Sequence, residues 1–335
     1  MAQYTGIQGQ NILIVSSDPA NPTEGQIWYN TTSNLLKGYA NVVTNAFASG
    51  GAVNTARYGI GAAGTQTATI GFGGGFPIVG ASEAYNGTSW TTTPSLNTTR
   101  YVMGGAGTQT AALGIGGHPP SFGGSTAVEF WNGSSWATNP SLGTARSTTP
   151  QCCGTNAAAM AAGGGNPTPV AITTVENWNG TSWTAGTALN TALMQGMAIG
   201  TQTANIVFGG TTSTGSPAVT NVTQSWNGSS WTTVPGGNMN SSRYQVGAGG
   251  TQTAGVAFGG GAINTDAVSA AAELWNGSTW TTNPNSLATA RSAGGSAGTQ
   301  SAAIYFSGSL QPGAGSPATE EWTGTALATR TLTTS

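Results

Sequence analysis

Reactive side chains are scarce in this chain, and most recur at fixed places. Its 335 residues include seven Lys or Arg, nine Asp or Glu, one His and two Cys. Acid–base catalysis needs titratable groups near one another, and a metal centre needs several Cys, His or carboxylate ligands. The single histidine, His118, stands in Gly117-His118-Pro119-Pro120 and reads as an exposed loop residue, with ligand contact as the alternative. Cys152 and Cys153 replace the small residues of a strand and are expected to pack, since adjacent cysteines rarely bridge. Asp266 is the only acid in a variable loop, and a lone carboxylate makes no acid–base pair. The expectation is a protein that is not an enzyme, with neither metal nor cofactor.

The remaining charges keep step with one another. Arg57 is followed by Glu83, Arg100 by Glu129, Arg146 by Glu176, Arg243 by Glu273 and Arg291 by Glu320. One unit has Leu193 in the arginine place and Gln224 in the glutamate place, so both charges vanish together. A lone buried charge costs several kcal/mol, so losing one partner favours losing the other. The spacing predicts buried, bidentate Arg–Glu pairs that hold the framework and leave a nearly uncharged exterior.

What positions those charges is a repeat. Gly64-Thr65-Gln66-Thr67 returns at Gly107, Gly154 (as Gly-Thr-Asn), Gly200, Gly250 and Gly298, at steps of 43, 47, 46, 50 and 48 residues. A period of this size is one supersecondary unit copied along the chain, too small to bury its apolar face alone. Each unit reads as an arginine, a small-residue strand, the Thr-Gln-Thr segment and an alternating strand ending in Gly-Gly. A variable loop, a Glu-x-aromatic-Asn-Gly strand and turn, and a tryptophan strand follow. The Asn-Gly pairs suit tight hairpin turns in which both residues take positive φ. The aromatics Tyr85/Trp90, Trp131/Trp136, Trp178/Trp183, Trp226/Trp231 and Trp275/Trp280 are all five apart, and Trp322 begins a sixth pair that the chain does not complete.

The double glycine, the aromatic beyond it and the later tryptophan resemble the Kelch repeat over roughly residues 42–325. The resemblance implies an all-β, six-bladed Kelch-like β-propeller with four-stranded blades. Phe47 and Val53 have the register of Trp90 and Leu96, so residues of about 42–53 are expected to close the last blade. Residues 326–334 compete for that place, and seven blades are the alternative. The expected division is an N-terminal arm with a hairpin over 1–40 and the propeller over 41–335.

A net charge of −2 offers no footprint for nucleic acid, no apolar run is long enough to insert in a membrane, and the first residues do not read as a signal peptide. The run Pro22-Thr23-Glu24-Gly25-Gln26-Ile27-Trp28-Tyr29-Asn30 resembles an N-terminal segment of tailed-phage virion proteins. The resemblance implies a structural protein on the virion surface, a tail-fibre or capsid appendage. It would attach to other virion proteins through residues 1–40 and stand as a homo-oligomer or multi-copy array. Loops on a rigid scaffold are where propellers bind, and Phe76, His118, Phe122, Asn166 and Asp266 mark the candidate loops. Hydroxyl, amide and aromatic groups suit a host-surface glycan. A free carbohydrate-binding lectin is the alternative.

Overall fold

The computed structural model describes residues 12–75, 77–121, 123–168, 170–212, 218–262, 267–310 and 314–332. The chain forms two compact units, Ala46–Trp322 and Met1–Asn45 with Thr323–Ser335. This division falls a few residues beyond the expected 40/41 boundary and groups the last residues with the N-terminal unit. No helix occurs among the described residues.

The larger unit is a β-propeller. In the first repeat the strands are Gly61–Gly64, Thr69–Phe72, Ser82–Tyr85 and Trp90–Thr93, all antiparallel, with registers Gly61↔Phe72, Phe72↔Ser82 and Tyr85↔Trp90. Composition explains the order. Gly-Ala-Ala-Gly is slim enough for the crowded axis, the fully buried Thr-Ile-Gly-Phe fills the space between sheets, and the Thr-rich outer strand faces water. The innermost strands of the six repeats touch in cyclic order, from Gly61–Gly64 round to Gly295–Gly298 and back. Repeats are numbered here from their arginine positions: 57, 100, 146, 193, 243 and 291.

The described residues form seven sheets rather than six. Five have four strands, and the seventh is a two-stranded ribbon, Ser309–Leu310 with Ala314–Gly315, within the sixth repeat. The remaining sheet takes strands from both chain ends. In the propeller unit its order from the axis is Gly295–Gly298, Ala302–Phe306, then Thr319–Thr331, then Leu35–Gly50. The N-terminal strand thus lies outermost, as expected. Phe47 packs on Trp322 at 5.0 Å between ring centroids, completing the sixth aromatic pair from the opposite end of the chain. Val53 donates to the Pro317 carbonyl at 2.9 Å, as Leu96 donates to Gly80 at 2.9 Å.

In the smaller unit, Leu13–Val15 pairs in parallel with Ile27–Asn30, which forms a hairpin with the start of Leu35–Gly50. Asp18 gathers it by accepting from Trp28 Nε1 (3.0 Å), Asn30 Nδ2 (2.7 Å) and Lys37 Nζ (2.7 Å). These donors hold the exposed Asp18 carboxyl down at about 2.

Candidate functional site

The five arginine–glutamate pairs lie inside the repeats. Arg57–Glu83 is 2.5 Å, Arg100–Glu129 2.9 Å, Arg146–Glu176 3.0 Å, Arg243–Glu273 2.7 Å and Arg291–Glu320 2.5 Å, all buried. They are not bidentate. In each, one arginine nitrogen meets Oε1, while Oε2 accepts a backbone N–H from the preceding turn: Asn54, Asn97, Gly143, Asn240 or Ala288, at 2.6–2.7 Å. The carboxylate therefore has two tasks, and the guanidinium turns its other nitrogens to main-chain carbonyls. Arg100 Nη1 reaches Gly116 at 2.5 Å and Ala127 at 2.8 Å. Burial pulls the Arg100 and Arg146 guanidinium groups below the usual arginine range, and Glu129 and Glu176 oppose that pull.

Repeat 4 shows what the glutamate does without its partner. Leu193 and Gln224 are fully buried, and Gln224 still receives the Thr191 N–H (3.1 Å) while its amide donates to the Thr191 carbonyl (3.2 Å). A neutral side chain keeps the turn once the arginine is gone.

The aromatic partners face each other across strands at 5.0–5.5 Å. The Asn-Gly turns differ from the expected tight type. Only the glycine takes positive φ (Gly87, 92°), and Asn86 Oδ1 caps a longer loop by accepting the Thr88 and Ser89 amides at 3.0 and 2.9 Å. The double glycine is a matter of close approach. A Cβ on Gly73 (φ 67°) would lie 2.6 Å from the Arg100 carbonyl, and the next amide, Gly74, donates to that carbonyl at 2.9 Å.

One role escaped the sequence reading. The glutamine of Thr-Gln-Thr ties each repeat to the one before it. Gln66 donates to Trp322 O (2.7 Å), Gln109 to Tyr85 O (2.5 Å), Gln202 to Trp178 O (2.6 Å), Gln252 to Trp226 O (2.6 Å) and Gln300 to Trp275 O (2.7 Å). Its recurrence in five of six copies was the available signal. In repeat 3, Asn156 is one methylene shorter and makes no such bond among the described residues.

Both mouths of the ring are built from turns, but only one end carries the variable loops. At that end a second ring surrounds the axis. Two residues past the arginine position, Gly59, Val102, Gln195, Gln245 and Ala293 take left-handed φ of 65°, 46°, 57°, 53° and 55°. Four are not glycine, at about 1–2 kcal/mol each. Their amides link neighbouring repeats: Gly59 to Ala293 (2.7 Å), Val102 to Gly59 (2.7 Å), Gln245 to Gln195 (2.7 Å) and Ala293 to Gln245 (3.0 Å). Beneath this ring an axial cavity of about 180 Å3 runs between the inner strands, lined by glycine, alanine and a few polar groups, with no charged side chain.

The candidate loop residues do not converge. Phe76, Phe122 and Asp266 lie outside the described residues. Asn166 Oδ1 accepts from the Thr168 and Val170 amides, so this side chain shapes its own loop. His118 is half-buried and pairs with Tyr101 across an antiparallel bridge, rings 5.1 Å apart. Half-buried Tyr58 lies close enough for the Tyr101 phenol, together with burial as the larger cause, to raise its pKa. Tyr58, Tyr101 and His118 thus form an aromatic group at the loop-bearing end. Cys152 and Cys153 are buried in a strand, and burial pushes the Cys152 thiol up to about 12.

No family model matches the chain, and no curated protein matches it. Among solved structures, the protein in "Structure of YjhT" is similar, with a TM-score of 0.65 and 11% identity over 82% of this chain and 95% of that one. At that identity the likeness is one of fold, and it agrees with the propeller seen here.

Proposed function

We propose that this chain is a non-enzymatic structural protein of a tailed-phage particle. In this reading it is displayed on the virion surface as a Kelch-like propeller appendage, in several copies, and held by its N-terminal region. The observation that carries the reading is where the charge goes. Five of seven basic and five of nine acidic side chains are locked in buried pairs, so the exterior is left to hydroxyls, amides and aromatics. Such a surface suits adhesion to neutral partners better than acid–base chemistry. Attachment through the smaller unit is supported by its exposed apolar side chains. Leu13, Ile14, Leu35 and Leu332 are 46%, 70%, 38% and 37% exposed, and Val170 is the only other large hydrophobic so exposed among the described residues.

The Tyr58–Tyr101–His118 group favours host-surface glycan as what the displayed end touches, since aromatic faces and hydroxyls together suit sugar rings. A free glycan-binding lectin shares that contact but needs no particle. Particles assembled with a chain lacking residues 1–40 separate the readings. Loss of the protein from purified particles, with the shortened chain still folded by circular dichroism, is expected. Undiminished incorporation would remove the attachment role.

A further inference from the structure

We infer that the loop-side mouth of the axial cavity is a binding site for one neutral, hydroxyl-rich ring, a single sugar unit of a glycan. The inference rests on the glycan-binding reading above and places it on particular atoms.

The ring of left-handed residues is incomplete at repeat 3. There the inner strand starts at Gln151, five residues after Arg146, where every other repeat allows four. The extra residue and Pro150, which has no N–H, put nothing left-handed in the ring position. Two main-chain groups consequently face the gap unpaired: the Val102 carbonyl on one side and the Gln195 N–H on the other have no hydrogen-bond partner among the described residues. One is an acceptor and the other a donor.

Two carboxamides stand beside them. Gln195 and Gln245 line the cavity mouth, are half-buried, and make no side-chain hydrogen bond to the described residues. Each sits on a backbone conformation that disfavours any side chain, and glycine fills the equivalent place in repeat 1. Strain of this kind persists where the surroundings fix it and clusters at ligand clamps. Here it holds two neutral donor–acceptor groups around an uncharged opening of about 180 Å3.

The chemistry selects the ligand. With no charged lining, an ion would lose its hydration without replacement, whereas an apolar molecule would leave the amides unpaired. A sugar hydroxyl both donates and accepts, so adjacent hydroxyls can meet the Gln195 N–H, the Val102 carbonyl and the two carboxamides together.

The test titrates D-glucose, D-galactose and N-acetyl-D-glucosamine separately into the isotopically labelled full chain and follows amide signals by NMR. A bound sugar is expected to shift the Gln195 main-chain amide and both Gln195 and Gln245 side-chain amides. Gln195→Gly and Gln245→Gly should each weaken binding roughly tenfold, about one good hydrogen bond. Glycine suits φ of 57° and 53°, so these variants relieve strain and unfolding would not explain their loss. Unchanged affinity in both variants overturns the site. A sugar that shifts His118 and Tyr101 but not Gln195 overturns it while leaving glycan binding intact. No shift with any sugar overturns both.

Discussion

Where repeat 4 meets repeat 5, three devices join them. Trp280 stacks on Phe208 at 4.8 Å, Gln252 ties to the Trp226 carbonyl, and the Gln245 amide donates to the Gln195 carbonyl. Where repeat 2 meets repeat 3, none of the three is present. Trp183 packs into a cluster with Ile115 instead of a phenylalanine, Asn156 replaces the glutamine, and the backbone ring is open. The Trp136 and Trp183 indole N–H groups are also buried without partners among the described residues. The repeat 3–4 junction is intermediate, keeping Gln202 but setting Trp231 near Ala162. Two hydrogen bonds and an aromatic pair differ between the extremes, on the order of 2–4 kcal/mol. Identical topology therefore does not mean equal joints. The account places the weakest one within continuous chain, and not at the sheet assembled from the two ends, where Trp90 stacks on Phe306 at 4.4 Å and Gln66 completes the tie.

The largest effect should come from turning repeat 5 into a copy of repeat 4. Glu273→Ala alone leaves Arg243 buried without its counter-charge and should cost about 3–5 kcal/mol in chemical denaturation. Arg243→Leu with Glu273→Gln should recover most of that, since Leu193 and Gln224 already live in the same setting. Equal losses in the single and double variants would mean that the pair does not act as a unit.

The ties come next. Gln252→Asn should cost about 1 kcal/mol, and Asn156→Gln should gain a similar amount by supplying the missing bond to repeat 2. A gain at position 156 without the corresponding loss at 252 would break the comparison. Smaller still is a kinetic effect. Cys152 and Cys153 lie in the strand beside the weak joint, and burial raises both thiols above their ordinary range. Labelling with a thiol reagent should proceed only through opening. Asn156→Gln should slow it severalfold, whereas Gln252→Asn should leave it nearly unchanged.

The smaller unit answers to acid through a different group. Asp18 is depressed to about 2 from 3.8, so its stabilisation is present above pH 3.8 and is lost as pH falls through about 2. The Trp28 indole N–H signal should move over that range, and Asp18→Asn should abolish the change.

Much of this molecule was legible because it is written six times. The charge positions, the aromatic spacing and the place of Phe47 follow from comparing copies, and the paired loss at Leu193 and Gln224 gave the partners away. The extra residue before Gln151 was equally visible, but its consequence was not. Left-handed backbone at Val102, Gln195, Gln245 and Ala293 has no signal in residues that ordinarily avoid it, so the axial ring could not be read beforehand. Bidentate pairing also failed as an expectation. Nothing in the spacing of arginine and glutamate reveals that a turn amide from the preceding repeat takes the second carboxylate oxygen.

Hydrogen exchange of the intact chain, followed by mass spectrometry across the six inner strands, tests the inequality of the joints most directly. The account expects amides of Gly104–Thr108 and Gln151–Gly154 to exchange first and those of Met197–Gly200 and Gly247–Gly250 last. Exchange that begins in Gly295–Gly298 and Ala302–Phe306, or that is uniform around the ring, would contradict it.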